Sequence, residues 1–269
     1  MNNLTYFVPV DFSDCSYRAV QYATLLAKMF GGRIELFHVT DTKEIMQYDS
    51  PMSTIRTMDD LTRKAVNKMR SLCEMISETW QIPVHYSLTI GDTNELMLSE
   101  IQRKYPDVIV FGKGKKGNSL LKKILTHIHI PVFVIPPGTE IKEPSSIILT
   151  TDLQPVNSEA MKLLANLARR SPQGLSLLDI QEEDSLDGKG KKEWVEDISK
   201  QFDVSANFLA EQDKQNTDGI LDRIRSTYTD LLCIVKREEN DRTEIPAKDI
   251  TVQLALKAEV ATLVITDSA

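Results

Sequence analysis

The sequence predicts an α/β protein built from two tandem parallel-sheet domains. Three observations carry that reading. First, the 269-residue chain contains itself twice: residues 5–41 superimpose on residues 146–182 without a gap. Asp11 falls on Asp152, Ala19 on Ala160, Leu26 on Leu167 and Leu36 on Leu177. A period this long means two copies of one whole domain, not a solenoid of small repeats. Second, short Val/Ile-rich runs alternate with stretches whose apolar residues recur at helical spacing, the pattern of strands covered by helices on both faces. Third, a polar, proline-rich segment runs from Pro136-Pro137-Gly138 to Pro144-Ser145-Ser146. Such a segment reads as a linker, and it separates a domain at 1–138 from a domain at 145–269.

In the first copy, Tyr6–Val10 is an apolar strand that ends at Asp11. Ser13 or Asp14 can cap the next helix. In that helix Ala19, Tyr22, Ala23, Leu26, Ala27 and Phe30 share one face, and Gly31-Gly32 stops it. Arg33–Val39 is the second strand. A helix over 57–80 places Leu61, Ala65, Met69, Leu72 and Ile76 inward. Pro83–Thr89 is a strand. Glu95–Tyr105 is a helix with Leu96, Ile101 and Tyr105 inward, ended by Pro106. Asp107–Phe111 is a strand, a short helix covers 119–127, and Ile130–Ile135 is the fifth strand.

The second copy repeats this order. Strands are expected at Ile147–Thr150, Leu175–Ile180, Val204–Leu209, Asp230–Val235 and Val260–Ile265. Helices are expected at 157–170, 193–201 and 217–227, with a charged loop over 182–192. The segment YTDLLCIV (228–235) matches YPDVIVFG (105–112).

Charge and cysteine content narrow the function classes. Residues 1–140 hold 16 Lys+Arg against 15 Asp+Glu, a net of +1; residues 141–269 hold 16 against 24, a net of −8. The acidic balance argues against general nucleic-acid binding, and only the first copy is electrostatically suited to an anion. No apolar run is long enough to cross a bilayer, and the start of the chain lacks a signal pattern. Three scattered cysteines (Cys15, Cys73, Cys233) make neither a disulfide framework nor a zinc site. The expectation is a cytoplasmic, reduced protein with no membrane or nucleic-acid partner and no bound metal.

Ligands of an open parallel sheet bind beyond the C-terminal strand ends, which points to two places in the first copy. Asp11 ends the first strand, either as a brace for the turn, as a contact to a nucleotide base or ribose, or as both. Gly112-Lys113-Gly114-Lys115-Lys116-Gly117-Asn118-Ser119 follows the fourth strand and precedes a helix. Its glycines let backbone N–H groups face an anion and its lysines add positive charge; the rival reading is a solvated basic loop. Gly112, Gly114 and Gly117 match GxGxxG literally, but the dinucleotide fingerprint belongs to the first strand–helix turn. The P-loop pattern fails because Asn118 stands where its lysine belongs. In the second copy KREENDRTEIPAK comes after Val235, with no glycine and four acidic residues. Such a loop repels phosphate.

The remaining candidates are weaker. Cys15 sits near the start of the first helix, where the helix dipole can lower a thiol pKa; the competing reading is an inert small residue. His127 and His129 flank Ile128 at a spacing that can pair two imidazoles. His38 and His85 read as structural histidines, and the Met-bearing stretch 46–75 as adaptable core or partner surface. No nucleophile–base–acid constellation is present.

The whole chain resembles the universal stress protein family in its tandem form. The resemblance rests on FVPVDFSDCSYRAVQYATLLAK, on His38-Val39, on Gly91-Asp92, on DVIVFGKGKKG and on IPVFVIP. It implies Rossmann-like three-layer domains, each with a five-stranded parallel sheet of order 3-2-1-4-5. It implies pairing of the two domains within the chain through their last strands, and a homodimer; the protein partner is left open. It implies adenine and ribose contacts near Pro9, Val10, Asp11 and Val39, and phosphate contacts from Gly112, Gly114, Gly117, Asn118 and Ser119. ATP-binding members carry Gly-x2-Gly-x9-Gly-[Ser/Thr]. Here Gly114 and Gly117 keep the first spacing, but His127 and Ile128 stand where the last pair belongs. The expected function is therefore a stress-response binding or regulatory module with weak adenine-nucleotide (ATP) binding confined to the first domain. The rivals are slow ATP hydrolysis there, with Asp11 as the one acidic candidate, and a purely structural docking protein whose sites have both decayed.

Overall fold

The computed structural model describes residues 4–42, 51–114, 118–151, 159–179, 188–209, 217–237 and 250–267. Its contacts divide the chain into two compact units, Met1–Ile124 and Leu125–Ala269. Both are α/β and Rossmann-like.

The first unit runs β1 (Thr5–Pro9), α1 (Asp14–Phe30), β2 (Arg33–Asp41), α2 (Pro51–Trp80), β3 (Val84–Gly91), α3 (Thr93–Lys104) and β4 (Val108–Gly112). The cut between units falls inside α4 (Asn118–His127). The strands lie parallel in the order β3-β2-β1-β4. Every residue of β1 is buried, as a strand covered by helices on both faces must be. Against it α1 packs Ala19, Ala23, Leu26 and Ala27, the face expected from the helical spacing.

The second unit holds β5 (Val132–Ile135), β6 (Ile147–Thr151), α5 (Glu159–Arg170), β7 (Leu175–Asp179), α6 (Gly188–Phe202), β8 (Ala206–Phe208), α7 (Thr217–Ser226), β9 (Leu231–Arg237), α8 (Ile250–Lys257) and β10 (Ala261–Asp267). Its strand order is β5-β10-β9-β6-β7-β8. All of these pairs are parallel except β5 with β10, which is antiparallel and sets Thr262 opposite Val134 and Leu263 opposite Phe133. The five strands β6–β10 are mutually parallel, as expected for the second copy, and β10 also pairs with β5, the last strand of the first copy, as the resemblance implied; that this pair is antiparallel makes the sheet mixed. All of Val132, Phe133, Val134 and Ile135 in β5 are buried. A strand so apolar cannot leave its edge N–H and C=O groups unpaired.

Three local expectations need correction. Tyr105 does not face inward. It is the C-cap of α3, with φ 44° and 77% exposure, and Met97 and Ile101 fill the inward face instead. Tyr228 at the matching position of the second copy has φ 49° and is 89% exposed. A left-handed non-glycine residue costs about 1–2 kcal/mol, so both copies carry the same local strain at the same turn. Helix α6 begins at Gly188, inside the stretch read as a loop over 182–192; residues 182–187 lie outside the described set. Finally, no helix was named between Val235 and Val260, yet α8 forms there although Ile250, Thr251 and Val252 at its start are poor helix formers. Burial of Thr251, Val252, Leu254 and Ala255 overrides that preference.

The matching aspartates of β4 and β9 do the same work. Asp107 Oδ2 accepts from the Thr5 amide at 2.7 Å. Asp230 Oδ2 accepts from the Ser145 amide at 2.8 Å, the Ser145 hydroxyl at 2.6 Å and the Ser146 amide at 3.3 Å. Each carboxylate ties the entry of its domain's first strand to the start of the fourth.

Candidate functional site

In the first unit β1 lies between β2 and β4, so the chain crosses over on leaving it. The crevice beyond the strand ends at such a reversal is where open α/β sheets take ligands. A cavity of about 800 Å³ lies there. It is lined by Pro9, Val10, Asp11, Val39, Gly112, Gly114 and Ser119, seven of the nine residues expected from the sequence. Asn118 begins α4 but is not part of the wall. Gly117 lies outside the described residues, as do Lys115 and Lys116.

The turn from β1 into α1 is built locally. Asp11 Oδ1 accepts from the Ser13 amide at 3.0 Å and the Ser13 hydroxyl at 2.5 Å. Ser13 is the N-cap, and its hydroxyl oxygen accepts from the Ser16 amide at 3.3 Å. Burial pushes the Asp11 carboxyl upward, but the Ser13 hydroxyl and amide outweigh that and hold it below its ordinary value. Asp11 is therefore an ionised brace. Phe12 takes a left-handed backbone, φ 61°, and its ring stacks on the His38 imidazole with centroids 4.5 Å apart. His38 Nδ1 lies 2.7 Å from the Val10 carbonyl oxygen. A carbonyl only accepts, so Nδ1 carries the proton and Nε2 can accept from the Thr40 hydroxyl at 3.3 Å. His38 is structural, as expected, and also part of the cavity wall.

The opposite lip is formed by β4 and its exit. A Cβ on Gly112 would collide with the Cys15 carbonyl oxygen. Glycine at 112 thus lets the end of β4 approach the first turn of α1. At Gly114 an added Cβ would meet, among the described residues, nothing closer than Cys15 Sγ at 3.7 Å. The Cys15 thiol is raised, by burial first and then by the charges of Asp11 and Asp14, with Arg18 opposing. The activated thiol that a helix N-terminus can produce is not what this turn makes.

Two further walls went unread in the sequence. Asp92 caps α3 by accepting from the Asn94 and Glu95 amides at 2.9 and 3.1 Å, which places Thr93, Asn94 and Met97 on the cavity. Thr93 donates its hydroxyl to Asp41 at 3.2 Å. From α2 come Leu61, Lys64, Ala65 and Lys68, spaced i, i+3, i+4 and i+7 on one helix face. The inward stripe of α2 was readable, but its lysines were not singled out.

The same region of the second unit is built differently. Val235 stands at the place of Gly112 and Arg237 at that of Gly114. Here β9 does not open into a loop: it continues its pairing with β10 to Arg237 opposite Asp267, and Arg237 bonds Asp267 at 2.6 Å. Lys236 donates to the carbonyl oxygens of Leu125 and Thr126 at 2.7 and 3.2 Å, capping the end of α4. Residues 152–158, with Asp152, and 238–249 lie outside the described set.

His127 and His129 are exposed on either side of buried Ile128, and His85 is exposed on β3. Among the described residues no group of three or more His, Cys, Asp or Glu side chains could hold a metal ion, and no helix is long and apolar enough to cross a membrane.

The profile of the Universal stress protein family matches residues 6–136. No curated protein matches. Among solved structures, a universal stress protein from Archaeoglobus fulgidus DSM 4304 is similar over 100% of both chains, at 13% identity and TM-score 0.77. A functionally unknown protein from Pseudomonas aeruginosa PAO1 covers 99% of this chain with 93% of its own length, at 11% identity and TM-score 0.54. At these identities the likeness speaks for the fold alone. The family match thus covers residues 6–136, just under half of the chain, and over the remainder the likeness is one of fold.

Proposed function

We propose that the protein is a binding module of the stress-response kind that takes an adenine nucleotide weakly in the cavity of its first unit. One observation carries this reading: Pro9, Val10, Asp11 and Val39 from one side and Gly112, Gly114 and Ser119 from the other line a single cavity at the β1/β4 crossover. A volume of about 800 Å³ lies in the range of small-molecule pockets. The polar β1 end suits ribose hydroxyls, and Ser119 brings the first turn of α4, a ten-residue helix whose amide end favours an anion. The shortened segment after Gly117 removes the last Gly-Ser/Thr that ATP-binding relatives carry, so the affinity is low.

The reading is of binding, not hydrolysis. A general base needs a pKa near the working pH, whereas Asp11 is held below its ordinary value with Oδ1 engaged by Ser13. The test is mass spectrometry of freshly purified, denatured protein, followed by melting curves with added nucleotide. Adenine nucleotide released from the protein, or a melting temperature raised by it, supports the module. Neither signal at millimolar nucleotide refutes it and leaves the purely structural role. A substitution of Asp152 is expected to leave any response intact.

A further inference from the structure

We infer that Lys64 and Lys68 of α2 form the cationic pole of the cavity among the described residues, and that they fit it to a nucleotide with one phosphate. This rests on the adenine-nucleotide reading above and assigns the phosphate a place within it.

The two lysines lie one helical turn apart on the face of α2 that lines the cavity. Neither is paired with a carboxylate among the described residues. Lys68 instead holds its ammonium group 4.8 Å from the centre of the Phe12 ring, and Phe12 is fixed in turn by His38. A cation resting on an aromatic face is positioned without being neutralised. It can meet a phosphate without first giving up a salt bridge.

On the glycine side the described residues offer a phosphate little. The bare Cα of Gly112 is used for the close approach of the Cys15 carbonyl, and a carbonyl oxygen repels an anion. Lys113 does not line the cavity.

Charge then decides the size of the ligand. Among the described residues the cavity carries carboxylates at Asp11, Asp14 and Asp41 against ammonium groups at Lys64 and Lys68. A phosphate monoester carries about −1.5 to −2 at pH 7, which two lysines match. Each further phosphate adds negative charge to a cavity whose other charged groups, among the described residues, are carboxylates, and like charges repel.

The test is calorimetric titration of AMP, ATP and adenosine into the wild-type chain, Lys64→Gln and Lys64→Gln/Lys68→Gln. Both lysines are solvent-exposed, and melting curves check that the variants remain folded. The single variant keeps the Lys68–Phe12 contact and guards against a rearranged turn. The wild-type chain is expected to bind AMP more tightly than ATP, more weakly as salt rises. The double variant is expected to lose at least about tenfold in AMP affinity, the scale of one charge-assisted contact, and to bind adenosine unchanged. An AMP affinity untouched by the double change, or an equal loss for adenosine, overturns the lysine pole while leaving the nucleotide reading standing. Tighter binding of ATP than of AMP overturns the single-phosphate preference. Failure of all three ligands to bind the wild-type chain removes the nucleotide reading and this inference with it.

Discussion

Gly112 in the first unit and Val235 in the second hold the same place in a duplicated sequence, and beyond that place the two copies part. After Gly112 the strand ends, the chain turns away and a cavity opens. After Val235 the strand continues through Lys236 and Arg237, paired with β10 to Asp267. One copy uses the end of its fourth strand as the lip of a pocket, and the other uses it as sheet. A ligand site at this crossover is thus separable from the fold: backbone pairing and an ion pair can take its place while the framework persists.

The most disruptive way to probe the comparison is Gly112→Val, which gives the first copy the residue of the second. Its Cβ would overlap the Cys15 carbonyl, and backbone cannot rotate aside as a side chain can. A loss of about 3 kcal/mol is expected in urea unfolding, together with loss of any nucleotide response. A stable variant would mean that α1 can retreat from β4, and glycine would not be what sets their spacing.

A smaller effect is expected where the copies agree. Asp230 takes three donors from Ser145 and Ser146, whereas Asp107 takes the Thr5 amide. Asp230→Asn should cost about 2 kcal/mol and Asp107→Asn about 1 kcal/mol, both read from chemical denaturation. The Asp230 contribution should also depend on pH. Burial raises this carboxyl, but the Ser145 bonds and Lys142 outweigh that and hold it below its ordinary 3.8. A group lowered on folding stabilises fully above its unfolded value and loses that contribution as pH falls through the folded one. The gap between wild type and Asp230→Asn is therefore expected to be constant near neutrality and to close below about pH 4. A gap that widened in acid would contradict the assignment.

Smaller again is Arg237→Ala. The ion pair with Asp267 leaves the two side chains 27% and 10% exposed, so it is partly desolvated. Its removal should cost about 1 kcal/mol and shorten the β9–β10 pairing, seen as faster amide exchange at Thr266 and Asp267.

The gentlest change to the fold is Gly114→Glu. Among the described residues nothing lies closer to the new Cβ than Cys15 Sγ at 3.7 Å, so stability should shift by less than about 0.5 kcal/mol. The carboxylate would stand in the cavity and abolish any melting-temperature rise produced by nucleotide. A rise that survived would detach this lip from the ligand.

Much of this was legible in the chain because it is local. The Asp11–Ser13–Ser16 turn spans six residues, and the cap was readable as a polar residue before an apolar period. The buried face of α1 and the wholly apolar β1 came from spacing alone. The duplication supplied the domain count before any element was placed. What escaped detection depends on distance. Asp107 and Asp230 bond partners 102 and 84–85 residues away, so each read as nothing more than the first residue of a strand. Lys64 and Lys68 were not singled out because the Phe12 ring and the β1 end that share their cavity lie more than fifty positions earlier in the chain. Tyr105 fitted the helical period as an inward residue, yet it sits one step past the last helical turn, where the backbone turns left-handed and the ring points to solvent.

By itself the sequence determined the repeat, the alternation of strands and helices, and the residues of the first strand–helix turn. Periodicity, capping and duplication are properties of neighbours along a chain. Only the tertiary structure decided that the pairing of β5 with β10 is antiparallel, that Gly112 is spent on the approach of α1, and that two lysines of α2 overlook the cavity. Each of these depends on which distant backbones lie within hydrogen-bond or contact distance, and that is fixed by packing, after every local preference has been satisfied.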